Sequence, residues 1–357
     1  MPSARHDVNV RLIRGERPGT NRRMATRRLI LLFLISCGLA SGTWLRERPP
    51  PRNTEQSLTI TPLAQGATIG PFRLVGAWQL ESPHTDFGSY SALVMQGPGR
   101  LLAISDTGNT LDFTAPDVPG PPAVIDRIIG KAGEHKKFRD VESATRDPVS
   151  GLLWLALEGR NAVLRFSASR EPLGEIQPVA MESWGENSGP ETLLRLADGR
   201  FIVLAEGYAD GFQGPRHQAL LFTGDPVDET AGLPFAVSAP HGYKPTDAVQ
   251  LPDGRVLVLL RRLLWPFPAR FAAKLAIGDP AAIAPGRTWQ LREVADLHYP
   301  LPVDNFEGLA LEPYQGQRQA LWLISDGNNA VSQRTILWEL HFDPRDLPGA
   351  PQPAPAP

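Results

Sequence analysis

Glu142, Glu191 and Glu307 each stand where a polar stretch gives way to a short apolar run, in "DVESATRDP", "GPETLLRLADG" and "NFEGLALEP". A carboxylate at the mouth of a buried segment is costly to keep charged, so such a group binds a cation or holds a proton. A hard divalent ion, calcium first, accepts several carboxylate oxygens in a flexible geometry. It can polarise a phosphoryl or acyl oxygen and lower the pKa of a bound water. Protonated glutamate acting as a general acid is the second chemistry open to this set.

A second set of charges follows. Asp106, Glu158, Glu206, Arg261 and Asp326 each end the next, more apolar run. Arg100 to Asp106, Arg200 to Glu206, Arg255 to Arg261 and Ala320 to Asp326 share one spacing of six. The acids of this set would support a cation beside the three glutamates. Arg261 stands out among acids and suits an anionic group on a substrate, as do Lys244 and Arg139 just before their repeats. For each of these three an ordinary salt bridge is the alternative. Asn187 and Asn305 precede two of the glutamates and offer amide oxygens or turn caps. "SDTGN" (Ser105 to Asn109) and "SDGNN" (Ser325 to Asn329) are turn chemistry first. His241 is a candidate base or a surface histidine.

Elements must bring these residues together, and a repeat does so. Five segments, beginning at Gly88, Asp140, Gly189, Lys244 and Asn305, share one layout: a polar residue, a short strand, a turn rich in Asp, Pro and Gly, then a more apolar strand. The lead residues align as Tyr90, Glu142, Glu191, Thr246 and Glu307, spaced 52, 49, 55 and 61 apart. "ADGR" and "PDGR" carry the Asp-Gly hairpin signal. Second strands such as "RFIVLAE" are near-continuous apolar runs, as strands buried on both faces require. A unit of this size built from hairpins is a propeller blade. The expectation is an all-β, six-bladed β-propeller: five blades visible, and a sixth closed by "PFRLVGAWQL" (Pro71 to Leu80) with "TILWELHF" (Thr335 to Phe342). A β-sandwich is the alternative, but it leaves the recurring charge offset without a reason. In a propeller the inner strands line a channel, so one residue per blade converges at its mouth.

The chain has 357 residues and a formal net charge of −2, with no basic stripe, which argues against nucleic acid. One cysteine, Cys37, excludes a disulfide framework and a cysteine metal site. Neither an HExxH pair nor a GxSxG elbow is present, so zincin and serine-hydrolase chemistries are not favoured.

"RRLILLFLISCGLASGTWL" (Arg27 to Leu45) has the basic, apolar and small-residue order of a secretory signal. Cleavage, lipidation at Cys37 in the lipobox-like "LISC", and an uncleaved anchor are the three fates, and Met24 is a possible true start. All three place the domain outside the cytoplasm, in the periplasm or anchored at the membrane facing it. The expected divisions are a basic region at 1–28, the signal or anchor at 29–45, a Pro-rich linker at 46–60, the propeller at 61–345 and a Pro-rich tail at 346–357.

"NFEGLAL", "VESATRDPVSGLLWLALEGRNAVLRF" and "GPETLLRLADGRFIVLAEG" resemble the phytase-like family with proposed esterase-like activity, exported bacterial β-propeller proteins whose repeats carry recurrent glutamates. The resemblance runs from about Gly70 to Phe342 and places the family's glutamates on Glu142, Glu191 and Glu307. It implies hydrolysis of a small-molecule ester or phosphate monoester. Tyr90 and Thr246 stand where an acid would be, so fewer carboxylates converge than in a multi-calcium site. A lactonase on the same fold, and a non-catalytic propeller binding a ligand or protein partner, are the other readings.

Overall fold

The structure is a computed structural model that describes residues 51–130, 135–185, 188–210, 214–266, 269–327 and 333–349. The apolar segment at 29–45, Cys37, Asn187, Asn328 and Asn329 lie outside the described residues. Among the described residues no helix is long and apolar enough to cross a membrane.

Five antiparallel sheets follow one another along the chain. Blade 1 is Tyr90–Gly97, Arg100–Ser105, Asn109–Thr114 and Val124–Arg127. Blade 2 is Val141–Arg146, Leu153–Leu157, Ala162–Phe166 and Pro172–Ile176. Blade 3 is Pro190–Arg195, Phe201–Tyr208, Arg216–Phe222 and Gly232–Ser238, with Thr288–Trp289 added in parallel at its outer edge. Blade 4 is Lys244–Gln250, Val256–Pro266, Ala269–Gly278 and Arg292–Leu297. Blade 5 begins with Phe306–Pro313, Gln319–Ser325 and Thr335–Phe342.

The N-terminal strands Phe72–Glu81 and Thr59–Ala64 complete blade 5, because Phe72–Glu81 pairs with Thr335–Phe342. The expected sixth blade is therefore not formed. The two terminal segments do pair, but on the sheet of the fifth repeat, which lacks outer strands of its own. The ring is five-bladed, and its first strands cover what would be an open edge. Residues from Asn53 onward form one compact unit that closes its own ring. Packing also runs past the expected start of the tail. Leu347 is buried, and Arg255 donates to the carbonyls of Pro344, Leu347 and Pro348.

Each interior core lies between two successive blades, which explains the apolar second strands. In Leu153–Leu157 alternate side chains serve different neighbours. Leu153, Leu155 and Leu157 pack towards blade 1, while Trp154 and Ala156 pack towards blade 3. A strand of period two buried on both faces must be apolar throughout. Each fully buried Leu contributes about 1.5–3 kcal/mol of transfer free energy to this arrangement. The Asp-Gly turns behave as their chemistry demands: Gly199 and Gly254 take φ of 89° and 92°, a region that costs a side chain.

The inner strands of the five blades touch in ring order and surround the axis. Every one of them carries a β-bulge near its start. The unpaired residues are Ser91, Glu142, Glu191, Thr246 and Glu307. A bulge re-aims the side chain it carries. The lead position of blade 1 is thus Ser91, one residue later than the expected Tyr90, whose ring is buried in the core between blades 5 and 1.

Candidate functional site

The bulges set the site at one mouth of the channel. Opposite the residue before each inner strand lies the end of the second strand. Asp106, Glu158, Glu206 and Asp326 donate their backbone N–H to Ser89, Asp140, Gly189 and Asn305 respectively. In blade 4 the same rung is Lys244 against Arg261. Both expected sets of charges therefore share one face.

Three carboxylates, Asp140, Glu142 and Glu158, bring one oxygen each to within 4.8 Å of one another. A second group, Glu158, Glu191 and Glu206, does the same, so Glu158 is common to both. Asp140 was not among the expected residues. Its signal was its position two before Glu142, the offset that also separates Asn305 from Glu307.

Glu307 is held differently. Its Oε1 accepts from Asn305 Nδ2 at 2.7 Å and lies 3.2 Å from Arg261 Nη1. The Asn305 amide oxygen accepts from Arg261 at 2.8 Å, so it faces the guanidinium. Arg261 also lies 3.5 Å from Glu206, which Lys244 holds at 2.7 Å. Glu206 thus already has two cations. Both groups present hard carboxylate oxygens, which suit calcium or a similar ion.

The electrostatics follow from crowding. Burial pushes the Glu142 carboxyl well above the usual range, and the charges of Glu191, Glu307, Asp140 and Glu158 push it further. Glu191 is raised by burial and by Glu206, against the pull of Arg261. Glu307 is raised by burial, with Arg261 and Asn305 opposing. Burial works against the charge of Arg261, but Glu307, Glu191, Glu206 and Glu142 together hold its pKa above the ordinary value.

Of the remaining expected residues, Asp106 lies near enough to raise Glu307, and Asp326 is buried at the end of its strand. Arg139 donates to the Thr107 carbonyl at 3.2 Å, towards blade 1. His241 is exposed. The "SDTGN" segment is a turn, with Ser105 Oγ accepting from the N–H groups of Thr107 and Asn109.

One level deeper the channel is crossed by a polar knot that the sequence did not single out. Asp247 of blade 4 accepts from its neighbour Ala248 N at 2.8 Å and from Leu309 N of blade 5 at 2.7 Å. Ser143 Oγ of blade 2 donates to it at 3.4 Å and accepts from Leu193 N of blade 3 at 2.9 Å. Burial raises the Asp247 carboxyl well above its usual range against these donors. The knot ties together the strands that carry Glu142, Glu191 and Glu307.

A family model described as phytase-like, esterase-like activity of phytase, matches residues 85–329. The chain belongs to this family. The matched span of this phytase-like protein opens just before blade 1 and includes all five bulge positions. Among solved structures, a luciferin-regenerating enzyme is 11% identical, with a TM-score of 0.42, over 80% of this chain and 95% of its own. A putative exported protein from Bacteroides fragilis NCTC 9343 is 10% identical, with a TM-score of 0.38, over 78% and 98%. YCF48 from Cyanidioschyzon merolae is 13% identical, with a TM-score of 0.37, over 76% and 71%. No curated protein sequence matches the chain.

Proposed function

We propose that this phytase-like protein hydrolyses esters or phosphate monoesters outside the cytoplasm with the help of a divalent cation, calcium first. The observation that carries the reading is Glu158 shared by two carboxylate triads, with Arg261 and Lys244 beside them. Asp140, Glu142 and Glu158 would hold the ion, with Glu191 next to them. When bound, such an ion supplies Lewis acidity and a more acidic water.

The chain's own groups divide the remaining work. Arg261 presents a guanidinium across the mouth and Lys244 an ammonium beside it, which fits an anionic acid or phosphate group. Glu191, pushed up by burial and by Glu206, keeps its proton to higher pH than an ordinary glutamate. It can protonate a departing alkoxide as a general acid. The five bulges fix these groups on rigid strands, so little ordering is left for the reaction.

The test uses residues 53–357, stripped with a chelator and assayed against aryl phosphates and carboxylic esters with calcium, magnesium or manganese restored. Turnover that returns with one cation and is lost in Glu158→Gln is the expected result. No turnover on either ester class, and no cation-dependent change in melting, would leave a non-catalytic binding propeller as the function.

A further inference from the structure

The second strand of blade 4 does not stop at the mouth. Val256–Pro266, at 11 residues, is the longest strand among the described residues, and it and its partner Ala269–Gly278 outrun their own sheet. The inner strand ends at Lys244 against Arg261, and the outer strand ends at Leu297 against Ala273. Beyond these rungs the two strands continue as a lone ribbon, pairing Arg262 with Ala272, Leu263 with Phe271 and Trp265 with Arg270. At about 3.3 Å per residue, Trp265 lies some ~13 Å of strand past Arg261.

The end of this ribbon is apolar and wet. Leu263, Leu264 and Trp265 are 52, 51 and 59% exposed, and Arg262 before them is exposed as well. Ala272 of the partner strand is buried and Phe271 half-buried, but consecutive strand residues point to alternate faces, so among the described residues the Leu263–Trp265 run is exposed on both. Whatever covers it must envelop it. A flat protein surface or a small substrate covers one face, whereas the boundary layer of a lipid bilayer surrounds an inserted tip. Arg262, over the Tyr243 ring, stands at the base of the apolar run, and Arg270 stands opposite Trp265, so exposed cations flank it and can extend towards lipid phosphates. Tyr299, 85% exposed, stands on the loop that leaves the outer strand at this same end. Aromatic residues of this kind settle at membrane interfaces.

We propose that the blade 4 hairpin is a membrane-docking element that inserts Leu263, Leu264 and Trp265 into the interface of an anionic lipid surface. The domain as a whole carries more acids than bases, so attraction to lipid is local to these two arginines and insertion is driven by apolar burial. Docking here faces the carboxylate mouth towards the lipid. The inference is independent of whether the mouth is catalytic.

Residues 53–357 pelleted with vesicles of phosphatidylcholine and phosphatidylglycerol test it. The wild type is expected to pellet, and Leu264→Ser/Trp265→Ser to partition at least about tenfold less. Arg262→Gln/Arg270→Gln should lose about five- to thirtyfold on the anionic vesicles alone, at roughly 1 kcal/mol per basic residue. Brominated lipid should quench wild-type tryptophan fluorescence, with that quenching largely absent in Trp265→Phe. All variants are at exposed positions and should melt with the wild type. A wild type that stays in the supernatant, or tip variants that pellet equally, would overturn the proposal. Self-association abolished by Trp265→Ser without vesicle binding would overturn it in favour of a second copy.

Discussion

Arg261 reaches from blade 4 to the Glu307 carboxylate of blade 5, with 3.2 Å between Nη1 and Oε1, and the same guanidinium holds Asn305 at 2.8 Å. One cation thus serves as the counter-charge for glutamates on separate blades. Removing it leaves buried carboxylates uncompensated. Arg261→Gln should cost about 3 kcal/mol at neutral pH in urea unfolding. In a cycle with Glu307→Gln, a coupling of about 1–3 kcal/mol is expected. Additive single effects would show that the pair is not a unit.

The raised carboxylates set a direction for pH. Glu142, Glu191, Asp247 and Glu307 have folded-state pKa values above their ordinary ones. Their stabilising contribution is full below the unfolded pKa, about 4. It is lost as pH rises through the folded values. Without divalent cations the melting temperature should therefore fall between pH 5 and pH 8, and Glu142→Gln should flatten that slope. A flat wild-type profile would contradict the crowding. At the acid end, carboxylates held low by arginine, such as Asp198 and Asp343, act in the opposite sense.

Calcium should distinguish Glu158 from Glu307. At a hundredfold excess over the dissociation constant, binding to the native state alone adds about 2.7 kcal/mol. That gain should appear in the wild type and in Glu307→Gln, and vanish in Glu158→Gln. Differential scanning calorimetry at fixed calcium reads it directly. Equal loss in both variants would place Glu307 among the ligands.

Asp247→Asn probes the axial knot. The amide sets an N–H against backbone N–H groups that now find a carboxylate oxygen, so a loss of about 2–3 kcal/mol is expected from unpaired buried donors. Because the knot pins the three glutamate strands, calcium affinity should drop as well, although Asp247 lies outside both triads. Unchanged affinity in a destabilised Asp247→Asn would confine the knot to stability.

The repeat and its strand order were legible because apolar second strands with Asp-Gly turns leave a clear period-two trace. The number of blades was not. The terminal segments read as strands, but nothing in a strand's pattern says which sheet it joins, and Phe72–Glu81 fills the edge that the fifth repeat leaves open. Ser91 was missed for Tyr90 because the bulge shifts the register by one, and a hydroxyl carries no charge to mark it. Asp140 and Asp247 escaped for a similar reason. Their neighbours in space are distant in sequence: Ser143 lies 104 residues from Asp247. The hairpin after Arg262 was not singled out, since sequence does not show that its sheet partners stop first.

The joint in blade 5 governs when the ring can close. Phe72–Glu81 is among the first strands to be synthesised, yet its neighbour Thr335–Phe342 is the last. Until that final strand arrives, Ala77 and Trp78 have no sheet partner on that side, and the cores that flank blade 5 remain incomplete. The nascent polypeptide therefore cannot close its ring until Thr335–Phe342 has emerged. For any chain that must first be threaded through a narrow pore, such a late latch leaves the two cores beside blade 5 to be completed only on the other side.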